Sequence, residues 1–155
     1  MPEIKESHQP NGCCDSNFIL MDKLINFLKY WLLVLIWAGI IFYLSDVPNL
    51  SSGMVVFWDV FLRKLAHAGI FGILFLLIWR ALYFGQKIDF KKALIWSLIL
   101  AVGYAFSDEA HQYFVPERQA RLLDVGFDSL GIFLVAFCLI YFKNKKRRGL
   151  DSRTL

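Results

Sequence analysis

Four long apolar runs dominate the chain, and few polar residues interrupt them. The runs cover about residues 28–44, 65–84, 93–106 and 125–142. A helix needs roughly 20 residues to cross a hydrocarbon core of about 30 Å, and each run approaches that length. Only helices and closed barrels satisfy their backbone in lipid, and these runs lack the period-two alternation of barrel strands. The pattern predicts an all-α polytopic membrane protein, a four-transmembrane-helix bundle.

The flanking segments divide the chain into three parts. Residues 1–26 are predicted to form an N-terminal cytoplasmic tail, without the apolar segment and cleavage site of a secretory signal peptide. Within this tail we expect residues 1–16 to be disordered and residues 17–27 to lie along the membrane interface as an amphipathic lead-in. Residues 27–142 form the predicted membrane domain, and residues 143–155 form a basic cytoplasmic tail.

Composition agrees with a membrane protein. Of the 155 residues, 57% are hydrophobic, 17% are aromatic and 19% are charged, and the mean hydropathy is +0.50. Soluble domains carry about 25% charged residues. Five glycines in the membrane domain are positions where helices can approach closely: Gly69, Gly72, Gly103, Gly126 and Gly131.

Lysine and arginine concentrate at one set of helix ends. One side of the predicted bundle has Arg63, Lys64, Arg118 and Arg121. The other side has Lys5, Lys23, Lys29, Arg80, Lys87, Lys91, Lys92, Lys143, Lys145, Lys146, Arg147, Arg148 and Arg153. Because cytoplasmic loops are enriched in these residues, we predict a multi-pass protein of the cell membrane with both termini in the cytoplasm. The net charge of +4 then indicates contact with the anionic lipid of the bilayer rather than with nucleic acid.

One polar segment, from Ser107 to Asp128, stands between the third and fourth runs. Ionisable residues within the membrane region of a protein indicate a site by default. Residues three and four apart on a helix share a face. Two sets follow this spacing: Asp108, His111 and Gln112 on one helix, and Arg121, Asp124 and Asp128 on the next. Pro116 is predicted to mark the turn between the two helices.

Polar residues of all four predicted helices lie at similar heights. Counted from the basic anchors, Ser45, His67, Asp108 and Asp128 lie about 20–25 Å along their helices at a rise of 1.5 Å per residue. Aspartate is too short to reach the interface from such a depth as lysine and arginine do. We therefore predict that Asp108, Asp128 and His67 face one another in a wet hollow near the outer surface, with a salt bridge from Lys64, Arg118 or Arg121 to an aspartate.

The types of residue in this region indicate roles for each. His111 is a candidate acid/base, with Asp108 and Glu109 as its candidate catalytic neighbours. The candidate ligand-binding residues are Lys64, His67, Gln112, Arg118, Arg121, Asp124 and Asp128. We predict no cofactor and no metal ligands, because no known ligand spacing is matched, although a divalent cation stays an open alternative.

The charges in this region admit three interpretations. The arginines and the lysine of this region supply more cationic hydrogen-bond donors than ion pairing between the helices needs. This excess favours a site for an anionic or phosphate-bearing ligand. A purely structural network of ion pairs holding the four helices together is the second interpretation. A metal site is the third.

Three blocks of sequence resemble the VanZ-like family, which is named for a membrane protein associated with teicoplanin resistance. The blocks are LSDVPN at residues 44–49, RKLAHAGIFGIL at residues 63–74 and SDEAHQYFVPERQARLLDVGFDSLGI at residues 107–132. The family pattern often has glycine at the position of Glu117 and asparagine at that of Asp128. The resemblance spans roughly residues 28–142 and implies a small four-span membrane protein.

The resemblance also implies a link to glycopeptide susceptibility and hence to antibiotic resistance. The favoured hypothesis is a cell-envelope protein that affects teicoplanin susceptibility by binding or modifying the head group of a lipid-linked or cell-wall precursor, in a polar pocket on the extracytoplasmic side. One alternative is a membrane-embedded hydrolase or transferase acting on a phosphate-bearing lipid. The other is a non-catalytic membrane assembly factor. Whether the protein is an enzyme stays open.

Overall fold

Four long helices make up the described part of the chain. The computed structural model describes residues 14–46, 56–114 and 122–151. Its helices are α1 (Cys14–Asp46), α2 (Val56–Arg80), α3 (Phe90–Tyr113) and α4 (Leu122–Asp151), and a π-helical turn (Ala81–Gly85) continues α2. Within those ranges there is no strand. All four helices are long and apolar enough to cross a membrane, which confirms the predicted fold class.

All four helices extend beyond the predicted apolar runs, and α1 and α4 reach into the predicted tails. The expected interfacial lead-in at residues 17–27 belongs to the same helix as the first span, because α1 is continuous and contains no proline that would break it. Helix α4 likewise continues through the basic segment that begins at Lys143, since lysine and arginine are good helix formers. The predicted turn at Pro116 and the first part of the N-terminal tail lie outside the described residues.

The helices run up and down in alternation, with α2 and α3 between α1 and α4. Two hydrogen bonds from aromatic side chains fix α1 against its neighbours. The indole Nε1 of Trp37 donates to the carbonyl of Ile70 at 3.0 Å, and the hydroxyl of Tyr104 donates to the carbonyl of Ala38 at 2.7 Å. Within a bilayer such bonds join helices where apolar contact alone gives little preference for one neighbour over lipid.

The closest helix contact is between α2 and α4. A Cβ atom on Gly131 would collide with the backbone of Ala68, and one on Gly72 would lie 3.1 Å from Cγ2 of Val135 and 3.2 Å from the carbonyl oxygen of Gly131. Small residues on both helices therefore allow the two backbones to touch. This confirms the predicted role for Gly72 and Gly131, whereas a Cβ on Gly69, Gly103 or Gly126 would meet no described residue within 4 Å.

Basic residues and aromatic rings mark one end of the bundle. The guanidinium of Arg80 lies 5.5 Å from the ring centroid of Tyr30, and Nζ of Lys143 lies 3.7 Å from that of Phe90. These contacts join α1 to α2 and α3 to α4 at the end where the described chain begins and stops. The polar residues predicted at matched heights lie at the opposite end, which we call the polar end.

Candidate functional site

A buried hydrogen-bonded group joins α1 and α3 at the polar end. Asp108 and Gln112 are one turn apart on α3, so their side chains share a face. The Oδ2 atom of Asp108 accepts hydrogen bonds from the hydroxyl of Ser45, at 2.8 Å, and from Nε2 of Gln112, at 2.9 Å. Nε2 of Gln112 also lies 3.4 Å from the Ser45 hydroxyl oxygen. All three side chains are buried, and we call them the Asp108 group.

The second oxygen of Asp108 is in a different situation. Asp108 is only 4% exposed, and its Oδ1 atom is buried without a hydrogen-bond partner among the described residues. Leaving a buried polar atom unsatisfied costs roughly 1–3 kcal/mol, and more for a charged group. In a native structure such an atom indicates strain, a functional role, or a bound water or ion, so Asp108 stays a candidate site residue.

A second polar contact joins α2 and α4. Nδ1 of His67 lies 3.8 Å from Oδ1 of Asp128, and Asp128 is buried. Lys64 lies one turn before His67 on α2, and its Nζ atom is 4.3 Å from the ring centroid of Phe127, the residue before Asp128. The carboxylate of Asp128, the imidazole of His67 and the ammonium of Lys64 thus lie near one another at the α2–α4 contact.

Two aromatic rings lie between these groups. The fully buried ring of Phe71 is 6.4 Å from the His67 ring and 6.3 Å from the Tyr104 ring, measured between centroids. Tyr104 in turn lies one turn before Asp108 on α3. The described contacts pair Ser45 with Asp108 and His67 with Asp128, and the predicted single hollow that joins Asp108, His67 and Asp128 stays a prediction.

His111 and Glu109, the other two candidate catalytic residues, lie beside Asp108 on α3. The imidazole of His111 stacks on the ring of Phe42, with centroids 4.3 Å apart and an angle of 29° between the planes. His111 is half-buried, and Glu109 is buried. The stack holds the imidazole at the α1–α3 side of the polar end.

Several predicted residues cannot be placed from the structure. Arg118 and Arg121 lie outside the described residues, and so does the side chain of Asp124. The predicted salt bridge to an aspartate from Lys64 or either arginine therefore stays a prediction. The matched heights, in contrast, are confirmed for the pairs Ser45–Asp108 and His67–Asp128, whose side chains meet across helices.

The described side chains were compared with the requirements of a metal site. Among them, no three histidine, cysteine, aspartate or glutamate residues come close enough to hold one ion. The Asp108 group supplies a single carboxylate with a hydroxyl and an amide, which suits hydrogen bonding to a neutral or cationic donor better than it suits a metal.

Sequence reasoning did not assign a role to three residues of this region. Ser45 was expected at the right height but not as a partner of Asp108, although it lies in one of the three matching blocks. Tyr104 and Phe42 look like ordinary span residues. Nothing in their local sequence shows that they hold the α1–α3 contact or orient His111.

Comparison with known families gives one result. The family model described as VanZ/LLP1 matches residues 5–143, which is most of the 155-residue chain and includes all four spans. No curated protein and no solved structure matches the chain. The four-span fold and the polar segment between α3 and α4 agree with the resemblance noted in the sequence. The chain therefore belongs to the VanZ/LLP1 family.

Proposed function

We propose that this protein binds the head group of a lipid-linked or cell-wall precursor at the polar end of its bundle, and that binding changes susceptibility to glycopeptides such as teicoplanin. In this proposal the polar end faces the outside of the cell membrane and both termini lie in the cytoplasm. The basic residues at the opposite end support that orientation.

The observation that carries the proposal is the uneven bonding of the Asp108 carboxylate. Ser45 and Gln112 fix Oδ2, while Oδ1 is buried and has no partner among the described residues. An ionised carboxylate oxygen accepts strong hydrogen bonds, and the hydroxyl and amide groups of a sugar–peptide head group are suitable donors. An ion network serving only to hold helices together has no need for a buried carboxylate oxygen without a hydrogen-bond partner among the described residues.

Cationic groups nearby suit the phosphate of such a precursor. Lys64 carries a charge at the polar end, and His67 can donate a hydrogen bond from its imidazole. Arg118 and Arg121 belong to the segment between α3 and α4, and their planar guanidinium groups match phosphate oxygens. The proposal assigns the neutral part of the head group to Asp108 and the phosphate to these residues.

The position of His111 favours one enzymatic alternative. His111 lies three residues after Asp108 on α3. Its ring stacks on Phe42 of α1 and is half-exposed. A hydrolase or transferase acting on a phosphate-bearing lipid would use this imidazole as its acid/base. A non-catalytic assembly factor would need neither His111 nor the free oxygen of Asp108.

The test is complementation of a deletion strain with single variants, scored by the minimum inhibitory concentration of teicoplanin. Asp108→Asn keeps an acceptor for Ser45 but removes the charge, so we expect normal accumulation in the membrane and loss of the phenotype. Asp89→Asn is the matched control, because Asp89 caps α3 at the opposite end and asparagine caps equally well.

The outcomes separate the three functions. Full activity of Asp108→Asn would contradict the proposal and favour the assembly factor. Loss of activity in Asp108→Asn with full activity in His111→Gln would support binding without acid/base chemistry. Loss in both variants, at unchanged protein levels, would support the hydrolase or transferase.

A further inference from the structure

A groove on the lipid-facing side of the α2–α4 contact begins at the polar end. Its volume is ≈ 460 Å³, within the roughly 300–1,000 Å³ of small-molecule sites. Seven apolar or small residues and one lysine line it: Phe61, Lys64, Leu65, Ala68, Phe127, Leu130, Gly131 and Leu134.

The close contact of the two helices produces this groove. Ala68 and Gly131 form its floor, because their backbones touch and neither has a side chain longer than a methyl group. Larger side chains form its walls, with Leu65 on α2 and Leu130 and Leu134 on α4, one turn apart. The groove therefore has apolar walls and lies between two membrane-spanning helices, where the hydrocarbon of the bilayer surrounds it.

Lys64 is the charged residue among the eight residues that line the groove. Lys64 directly precedes the predicted apolar run of residues 65–84 and is the first residue of the second candidate span, so it belongs to the polar end of that span. Its Nζ atom lies 4.3 Å from the ring centroid of Phe127, which is also a groove residue. A cation at the surface end of an apolar furrow complements a ligand with a negative head and a hydrocarbon tail.

We infer that the groove binds the hydrocarbon chain of a phosphate-bearing membrane lipid, with Lys64 contacting the phosphate. The inference rests on the proposed function in that it identifies the ligand of the polar end as lipid-linked. The His67–Asp128 pair lies one turn deeper along α2 than Lys64, so a phosphate at Lys64 lies on the membrane-surface side of that pair.

Photocrosslinking of the full-length protein in phosphatidylcholine nanodiscs tests this inference. The probe is phosphatidic acid with a diazirine in one acyl chain, and the reference probe is diacylglycerol with the same chain. We expect phosphatidic acid to label the groove peptides several-fold more than diacylglycerol does. Lys64→Gln should remove that preference without lowering the labelling by diacylglycerol.

A matched pair of variants tests the position of the chain. Leu134 in the groove is 68% exposed, and Leu35 on α1, outside the groove, is 66% exposed. Leu134→Trp fills the groove and should reduce labelling by phosphatidic acid several-fold, whereas Leu35→Trp should leave it unchanged. Both leucines face lipid, so folding should be preserved, and circular dichroism checks this.

Other outcomes would overturn the inference. Equal labelling by the two probes, or even labelling over all lipid-facing helices that Leu134→Trp does not change, means that the groove holds only bulk lipid. The proposed function is scored separately by the Asp108→Asn phenotype. Specific labelling of the groove together with a full phenotype in Asp108→Asn would retain the lipid site and reject the proposed role of Asp108.

Discussion

At the scale of single residues, the Asp108 carboxylate is the most informative group in the molecule. Its Oδ2 atom bonds to two side chains on two helices, and its Oδ1 atom is buried with no partner in the described part of the chain. A carboxylate in a span is costly, so each of its hydrogen bonds matters to stability. The same group therefore contributes to the α1–α3 contact, and the proposed function uses its second oxygen as the acceptor for a ligand.

The contribution of the Ser45 hydrogen bond can be measured. We expect Ser45→Ala to lower the free energy of unfolding in detergent by about 1–3 kcal/mol, because Oδ2 of Asp108 loses one of its two donors. Ser97→Ala is the control, since Ser97 is equally buried but donates to the carbonyl of Ala93 in its own helix, and should cost less than about 1 kcal/mol. Equal losses in both variants would mean that the Ser45–Asp108 hydrogen bond contributes no more to the free energy of unfolding than the Ser97 hydrogen bond does.

Aromatic rings determine how the polar residues are held. Phe42 orients His111 by stacking, and Phe71 separates the His67–Asp128 pair from Tyr104 and the Asp108 group. Each ring removes polar side chains from lipid without competing for their hydrogen bonds. The two polar groups can therefore contact different parts of one ligand, as the proposed function requires.

At the scale of helices, α2 and α4 form the tightest pair. Ala68, Gly72 and Gly131 let the two backbones touch, and this contact sets the height of His67 against Asp128. It also forms the floor of the groove. One set of small residues thus serves packing, the polar pair and the candidate lipid site.

Separating these helices by one methyl group should damage the fold. Gly131→Ala places a Cβ atom against the backbone of Ala68, so we expect a loss of about 1–3 kcal/mol in unfolding free energy. Gly126→Ala, on the same helix but with nothing within 4 Å, should change stability by less than about 1 kcal/mol. Unfolding by sodium dodecyl sulfate in mixed micelles, followed by circular dichroism, measures both. Similar stability of the two variants would contradict the close α2–α4 contact.

At the scale of the whole molecule, the two ends of the bundle differ in chemistry. One end combines lysines and arginines with aromatic rings, and the other combines buried carboxylates, histidines and a serine. Four spans bring the two ends of the described chain to the same basic side. The enrichment of cytoplasmic loops in basic residues then predicts how the molecule sits in the membrane.

Accessibility labelling tests that orientation. In a chain whose Cys13, Cys14 and Cys138 are replaced by alanine, Gln119→Cys should react with an impermeant thiol reagent applied outside intact cells. Gln86→Cys, in the loop between α2 and α3, should react only after the cells are permeabilised. The reverse pattern would place the polar end in the cytoplasm and remove the basis for binding an external head group.

The sequence by itself determined the number of helices, their approximate limits and the heights of their polar residues. These properties depend on local quantities, namely the transfer free energy of about 20 consecutive side chains and the fixed rise of a helix. Four residues predicted to lie at similar heights therefore form two contacts between helices, Ser45–Asp108 and His67–Asp128. Of the five glycines predicted as contact positions, Gly72 and Gly131 lie at a close helix contact, and a Cβ on any of the other three would have no described neighbour within 4 Å.

Only the tertiary structure decided which side chains pair. The choice between Ser45 and His67 as the partner of Asp108 depends on the rotation of each helix and on its neighbours, and several rotations satisfy the same hydropathy. Contacts that are far apart in sequence, such as Gly131 against Ala68 and Tyr104 against Ala38, select one rotation. The groove exists for the same reason, because its walls come from two helices and neither sequence segment contains it alone.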